Sequence, residues 1–221
     1  MNHEHGYLIV PAVLDSAEVA ALSTKVQSRR RGRAGLRHLL GNEAIRRLAF
    51  DPRLLGLASQ LLGVADARPF KATLFDKSPT TNWLVTWHQD LALPLRSRAE
   101  VPGWGPWSMK GGRLYALAPA EALAQVVALR VHLDDSTTEN GPLRVLPDTH
   151  RLGRLSQSEI AALVQTKPAM ECVVPAGGVV ALRPLAVHAS SKSTSAFPRR
   201  VLHLEYAASV VLGVGIELAV A

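Results

Sequence analysis

The segment NWLVTWHQD, residues 82–90, decides how this chain is read. From Trp83 to Asp90 it is rich in aromatic and β-branched residues and reads as a strand. Side chains at i and i+2 of a strand share a face and lie roughly 6.6 Å apart. His88 and Asp90 can therefore meet on one ion from a single strand end. Far downstream, His188 stands eleven positions before Arg199. Two histidines and one carboxylate on a single metal leave other coordination positions open, which suits non-haem Fe(II) and oxygen chemistry. A His-x-Asp triplet alone is weak evidence, because such a histidine is usually a surface or core residue. Its strand context strengthens it. So does a second strand, residues 199–207, entered from the serine-rich turn after His188.

Upstream the pattern is helical. Asp15 is an N-cap with Glu18 as its capping-box partner, for a helix expected to run to Gln27. Asp51 caps a second helix with Pro52 at its first position, Leu54, Leu55, Leu57, Ala58, Leu61 and Leu62 on its apolar face, and Gly63 to end it. Beyond residue 66, short strands are expected at 68–75, 82–90, 125–133, 143–146, 170–174, 178–182 and 199–207. Asn140-Gly141 and Gly177-Gly178 supply turns between them. Helices first and many antiparallel strands later imply a mainly β fold with flanking α-helices, packed outside a sandwich or barrel. No repeat or low-complexity linker interrupts residues 1–221, which read as one domain.

Residues 96–114 stand apart. Pro102, Gly103, Gly105, Pro106, Gly111 and Gly112 argue against regular structure there, yet Trp104 and Trp107 are present to be buried. A loop of this length suits a lid over an active site. The alternative is a surface loop pinned by the same two tryptophans.

The bulk composition fits a soluble enzyme. Hydrophobic residues make up 48% of the chain, without the run of eighteen or so apolar residues that a membrane span needs. The N-terminus lacks the pattern of a secretory signal. Cys172 is the only cysteine, so no internal disulfide forms and a reducing, cytoplasmic location is expected. The net charge is +7, much of it in Arg29, Arg30, Arg31, Arg33 and Arg37. No zinc cluster or nucleic-acid-binding motif accompanies that cluster, so the expectation is an anionic small molecule or plain solubility rather than nucleic acid.

The chain resembles the phytanoyl-CoA dioxygenase family of Fe(II)/2-oxoglutarate oxygenases. The matching stretches are NWLVTWHQD (82–90), NGPLRVLPDTHRLG (140–153), HASSKSTSAFPR (188–199) and GYLIVPAVLDSAEVAAL (6–22). One departure is Asp148-Thr149, where the family more often has Gly-Ser. The resemblance implies a double-stranded β-helix, the jelly-roll (cupin-like) core of these enzymes. It implies His88, Asp90 and His188 as iron ligands, and 2-oxoglutarate and O2 as cosubstrates. Arg199 would hold the distal carboxylate of 2-oxoglutarate, since a guanidinium fork pairs both oxygens, and Ser190 matches a hydroxyl contact. The preceding strand lines the pocket in relatives; on it Lys71, Thr73 and Phe75 share a face. Lys71 and Thr73 are thus further cosubstrate candidates, against an exposed edge lysine for Lys71.

The implied reaction is hydroxylation of a small molecule with release of succinate and CO2. Asp90 favours this outcome over halogenation, for which relatives lack the carboxylate. Desaturation, epimerisation or cyclisation on the same site, or a catalytically silent binding protein, are the alternatives. Among the other histidines, His3 and His5 lie near the N-terminus and His38 beside the basic cluster. His132 reads as a satisfied core residue, and His150 as a rival ligand that the resemblance aligns with a structural position. His203 shares a face with Arg199, as support for the site or as core. Arg199 and Arg200 must point to opposite faces. Apolarity alone would turn Leu202, Leu204 and Tyr206 inward; the resemblance turns Arg199, Val201, His203 and Glu205 inward.

Overall fold

The computed structural model describes residues 5–26 and 35–220. Arg29, Arg30, Arg31, Arg33, His3 and Gln27 lie outside the described residues. The elements in order are β1 (Tyr7–Val10), α1 (Ser16–Lys25), β2 (Gly35–Arg37), α2 (Glu43–Ala49), α3 (Pro52–Leu62), β3 (Arg68–Lys77), β4 (Val85–His88), β5 (Ala92–Leu95), β6 (Trp107–Lys110), β7 (Arg113–Leu117), α4 (Ala120–Leu123), β8 (Val126–His132), β9 (Leu143–Val145), α5 (Gln157–Thr166), β10 (Met170–Cys172), β11 (Val179–Leu182), β12 (His188–Ser190), β13 (Arg199–Ala207), β14 (Val211–Gly213) and β15 (Ile216–Glu217). The caps are those read from the sequence. Asp15 accepts from the Glu18 amide at 2.8 Å and Glu18 accepts from the Asp15 amide at 2.9 Å. Asp51 accepts from the Arg53 amide at 2.9 Å, and Gly63 closes α3 at φ +70°.

Two antiparallel sheets form the double-stranded β-helix. The larger runs β1-β11-β8-β13-β3-β2 and the smaller β10-β9-β12-β4. The face of β13 is decided by where its apolar residues find cover. Leu202, Leu204 and Tyr206, with Ala72, Leu74, Leu129 and Val131 of β3 and β8, form one cluster with Ile45, Leu48, Ala49, Leu54 and Ala58 of α2 and α3. Each such side chain contributes about 1.5–3 kcal/mol when fully buried. The Tyr206 hydroxyl donates to the Ala49 carbonyl at 2.9 Å, leaving no orphaned polar atom. The alternate residues must then face the space between the sheets. Arg199 is buried there, while Arg200 points outward and donates to both Asp134 oxygens at 2.7 and 2.8 Å.

Residues 96–106 are irregular, as expected, but the remainder of the segment is not. β6 and β7 pair as a hairpin, and β7 also pairs with β5. Gly111 and Gly112 are the turn between them, at φ +58° and +77°. Two successive positive φ angles are the pattern of a tight hairpin turn that glycine adopts without strain. The glycines that argued against strands therefore join two of them. Trp104 and Trp107 pack, half-buried, against a second apolar cluster that includes Leu93, Leu95, Ala116 and Ile216.

His132 is core, as expected, but it is not satisfied. It is 1% exposed and neither ring nitrogen has a hydrogen-bond partner. Burial, then the nearby Arg130 and Arg199 charges, push its pKa from 6.5 down to about 3. The unfolded chain therefore takes up this proton first. The neutral ring's contribution is fully present above about pH 6.5 and is lost as pH falls through that value toward about 3. His132→Leu should move the acid-unfolding midpoint to lower pH, followed by circular dichroism from pH 7 downward; an unchanged midpoint contradicts this account.

Candidate active site

The register of β12 against β4 sets His188 directly opposite His88. Strand β4 ends at His88, short of the expected 82–90, because the Asp90 amide leaves the ladder and donates to the Pro184 carbonyl at 2.9 Å. Gln89, between the two candidate ligands, turns the other way. Its amide donates to the Gly153 and Leu185 carbonyls at 2.8 and 2.7 Å and accepts from the Leu155 amide at 2.9 Å. That staple holds the strand end on which both neighbours depend.

Each histidine is oriented from behind. His88 Nδ1 donates to the Thr86 carbonyl at 2.8 Å and His188 Nδ1 to the Ala186 carbonyl at 2.9 Å. A carbonyl can only accept, so the hydrogen sits on Nδ1 and each Nε2 presents a lone pair, as metal-binding histidines do. Both Nε2 atoms lie 3.6 Å from Asp90 carboxylate oxygens. That is too long for a direct hydrogen bond. The ligand atoms of all three residues lie within 4.8 Å of one another, so together they could hold a metal ion. Burial pushes His188 down to about pKa 4, so the ring is neutral and its lone pair free at neutral pH. Burial opposes the Asp90 charge, but His188 and His88 hold the carboxyl well below its usual range.

The trio lines a cavity of about 480 Å³ between the sheets, and Arg199, Ser190, Lys71 and Thr73 line it too. Around Arg199 a buried cationic pole is built. Arg199 donates from Nε to the Asn140 carbonyl at 3.1 Å and from Nη2 to Ser190 Oγ at 3.3 Å. Ser190 donates to the Gly141 carbonyl at 2.8 Å. Gly141 has φ +66°, and a Cβ there would lie 2.3 Å from the Ser191 carbonyl oxygen, so only glycine fits. Burial and then Arg130 push Arg199 down to about 10, still cationic at neutral pH.

Two residues at this site escaped the sequence reading. Lys77 is 1% exposed; it donates to Ser190 Oγ at 2.8 Å and to the Ser191 carbonyl. Burial and then Arg199 push it down to about 8. The signal was available, because the period-two face of Lys71, Thr73 and Phe75 continues to residue 77. Arg130 lines the cavity from β8 and donates to His203 Nδ1 at 3.1 Å. It is 8% exposed, its Nε has no partner, and no described carboxylate pairs with it. Its signal was a charge inside the otherwise apolar run Val126–Leu133. Lys71 is no exposed edge lysine. It pairs with Glu205 at 2.6 Å, and Glu205 in turn accepts from His203 Nε2 at 3.0 Å. Trp104 and Trp107 do not line the cavity; Lys110, Tyr115 and Leu117 of the hairpin do.

A jelly roll enclosing a His/Asp/His donor set that faces a buried arginine pole defines an Fe(II)/2-oxoglutarate-dependent oxygenase. The model of the phytanoyl-CoA dioxygenase family matches residues 31–201, and the chain belongs to that family. It is 29% identical to L-proline trans-4-hydroxylase of Streptomyces griseoviridis, over 91% of this chain and 82% of that protein. Among solved structures, the epimerase SnoN in complex with Fe3+, α-ketoglutarate and nogalamycin RO superposes with a TM-score of 0.70 at 20% identity, covering 94% of this chain and 81% of the other. EctD from S. alaskensis gives 0.68 at 19% identity, covering 92% and 73%.

The two adjacent arginines give a direct test. Losing one partner of a buried charge pair costs roughly 2–5 kcal/mol, so Arg199→Ala should weaken 2-oxoglutarate binding about 30-fold or more. Arg200→Ala should leave it within a few fold. Titration of both variants decides, and the reverse ranking would place the wrong arginine inside.

Proposed function

We propose that His88, Asp90 and His188 hold Fe(II), that Arg199 and Ser190 hold the distal carboxylate of 2-oxoglutarate, and that the enzyme hydroxylates a small anionic molecule, releasing succinate and CO2. The observation that carries this reading is the convergence of three correctly oriented ligand atoms in the same cavity as an unpaired buried arginine. When bound, the iron and cosubstrate supply oxygen activation and the oxidant. The chain's own part is positioning and exclusion of water. The carbonyls of Thr86 and Ala186 fix the imidazole tautomers, Gln89 holds the strand end, and Leu91, Leu93, Leu117 and Val126 give the cavity apolar walls. Lys77 shares Ser190 with Arg199 and adds a second cation at the distal carboxylate. Thr73 takes part from the wall, while Lys71 acts through Glu205 and His203.

Charge supports an anionic substrate. Bound Fe(II) and the 2-oxoglutarate dianion cancel, as do Lys71 and Glu205. Arg130 and Arg199 at the wall, with Lys77 bonded to Ser190, then outnumber Asp90, and Arg37 and Lys110 add to the surplus at the cavity wall. The relatives' names span a hydroxylase, an epimerase and, at TM-score 0.70, a carbocyclase. Hydroxylation is preferred because the proline enzyme is named for that outcome, and Asp90, which completes the donor set, argues against halogenation. In this reading Trp104 and Trp107 brace the β6–β7 hairpin from behind rather than closing as a lid themselves. Residues 1–221 act as one domain in a reducing, cytoplasmic setting, consistent with a single buried free thiol at Cys172 and no membrane-crossing helix among the described residues.

Anaerobic addition of Fe(II) and 2-oxoglutarate should produce a weak visible charge-transfer band in the wild type. His88→Ala and His188→Ala should each abolish it. A band that persists in either variant would refute the ligand set.

A further inference from the structure

The cavity has a second pole, and nothing in the iron and cosubstrate assignment uses it. Along β13, Arg199 faces Lys77 and Glu205 faces Lys71. Six residues of strand separate those positions, roughly 20 Å of backbone. At the Lys71 end the wall is built from Arg37 on β2, Lys110 on β6 and Tyr115 on β7. Tyr115 is 2% exposed, yet its hydroxyl has no hydrogen-bond partner. The ammonium groups of Lys110 and Lys71 lie 5.2 and 5.7 Å from its ring centroid. Glu205 takes the charge of Lys71 at 2.6 Å. No described carboxylate pairs with Arg37 or Lys110.

Such a grouping is costly as it stands. Burial, then repulsion from Arg37 and Lys71, lowers the pKa of Lys110. A buried hydroxyl left unpaired costs about 1–3 kcal/mol. Both costs disappear when one anion with an acceptor oxygen arrives. Burial raises the pKa of Tyr115, so its hydroxyl stays protonated and can donate.

We propose that Arg37, Lys110 and Tyr115 form the substrate-carboxylate subsite, and that the substrate is a small carboxylic acid gripped there with its chain running toward His88 and Asp90. This rests on the oxygenase reading above and adds the substrate class to it. A carboxylate fits better than a neutral polar group, because two cations without a carboxylate partner at the mouth attract a charge and the single buried hydroxyl donor needs only one further oxygen lone pair. The 2-oxoglutarate at the Arg199 pole is too short to occupy both ends. Arg37 and Lys110 are exposed, so they also draw anions to the mouth before the ligand is enclosed.

The test uses the full chain loaded anaerobically with Fe(II) and 2-oxoglutarate. L-Proline, cyclohexanecarboxylate and phenylacetate are titrated, each beside its primary carboxamide. Binding is read from displacement of the visible band and from the thermal midpoint. At least one acid should bind, and its carboxamide about tenfold or more weakly. Arg37→Gln and Lys110→Gln should each weaken that acid about tenfold, and Tyr115→Phe several-fold, with 2-oxoglutarate affinity held within about twofold. The proposal is overturned if no acid binds, if amides bind equally, or if the three variants leave acid binding unchanged. Equal weakening of 2-oxoglutarate would instead assign the pole to the cosubstrate. A wild type that never forms the band fails the oxygenase reading itself, before any acid is added.

Discussion

The packing of Leu202, Leu204 and Tyr206 onto α2 and α3 is the constraint on which the site depends. A strand shifted by one residue turns every side chain to the other face. With those three fixed outward, Arg199, His203 and Glu205 have no choice but to enter the cavity. β3 and β8 pair with β13 in register, so Lys71, Thr73, Arg130 and His132 follow them inward. The apolar core of the protein thus lies outside the larger sheet, under the helices. The space between the sheets is left for polar chemistry.

That interior is unusual in its charge. Arg130, Arg199 and Lys77 are buried with no ion-paired carboxylate among the described residues, and His132 is buried without a hydrogen-bond partner. Unpaired buried cations oppose folding. The surplus makes sense in a protein whose working state contains anions. Burial and then the same charges keep His132 neutral and lower Lys77, which stays largely cationic at neutral pH.

The local shape of the candidate metal site was legible because it follows from short-range rules. A period-two strand puts His88 and Asp90 together, and the Asn140-Gly141 turn is where it was expected, with Gly141 at positive φ. Asp148 shows the same logic in reverse. It takes φ +69° where relatives favour glycine, a conformation aspartate tolerates, and holds it with a 3.0 Å contact to His5. The hairpin from Trp107 onward was misread because Gly111 and Gly112 were treated as breakers, when two glycines in a row can be a hairpin turn. Lys77 was missed because the expected strand stopped two residues early. Arg130 was missed because a charge in an apolar run was not followed to the face it shares with His132.

By itself the sequence determined which residues could form strands, where helices start and stop, and that His88 and Asp90 share one strand face. Those are properties of chain periodicity and backbone capping, and they need no neighbours, whereas His188 and Arg199 were implied by the family resemblance alone. Residue pattern alone could not set the face of β13: apolarity pointed the wrong way, the resemblance turned Arg199 inward, and the tertiary structure gives the reason, because α2 and α3 cover Leu202, Leu204 and Tyr206. Only the tertiary structure set His188 opposite His88, paired Lys71 with Glu205, and gathered Arg37, Lys110 and Tyr115 from three strands into one wall. Such pairings depend on sheet register and on which charges share a low-dielectric space, and neither is written in any local stretch of chain.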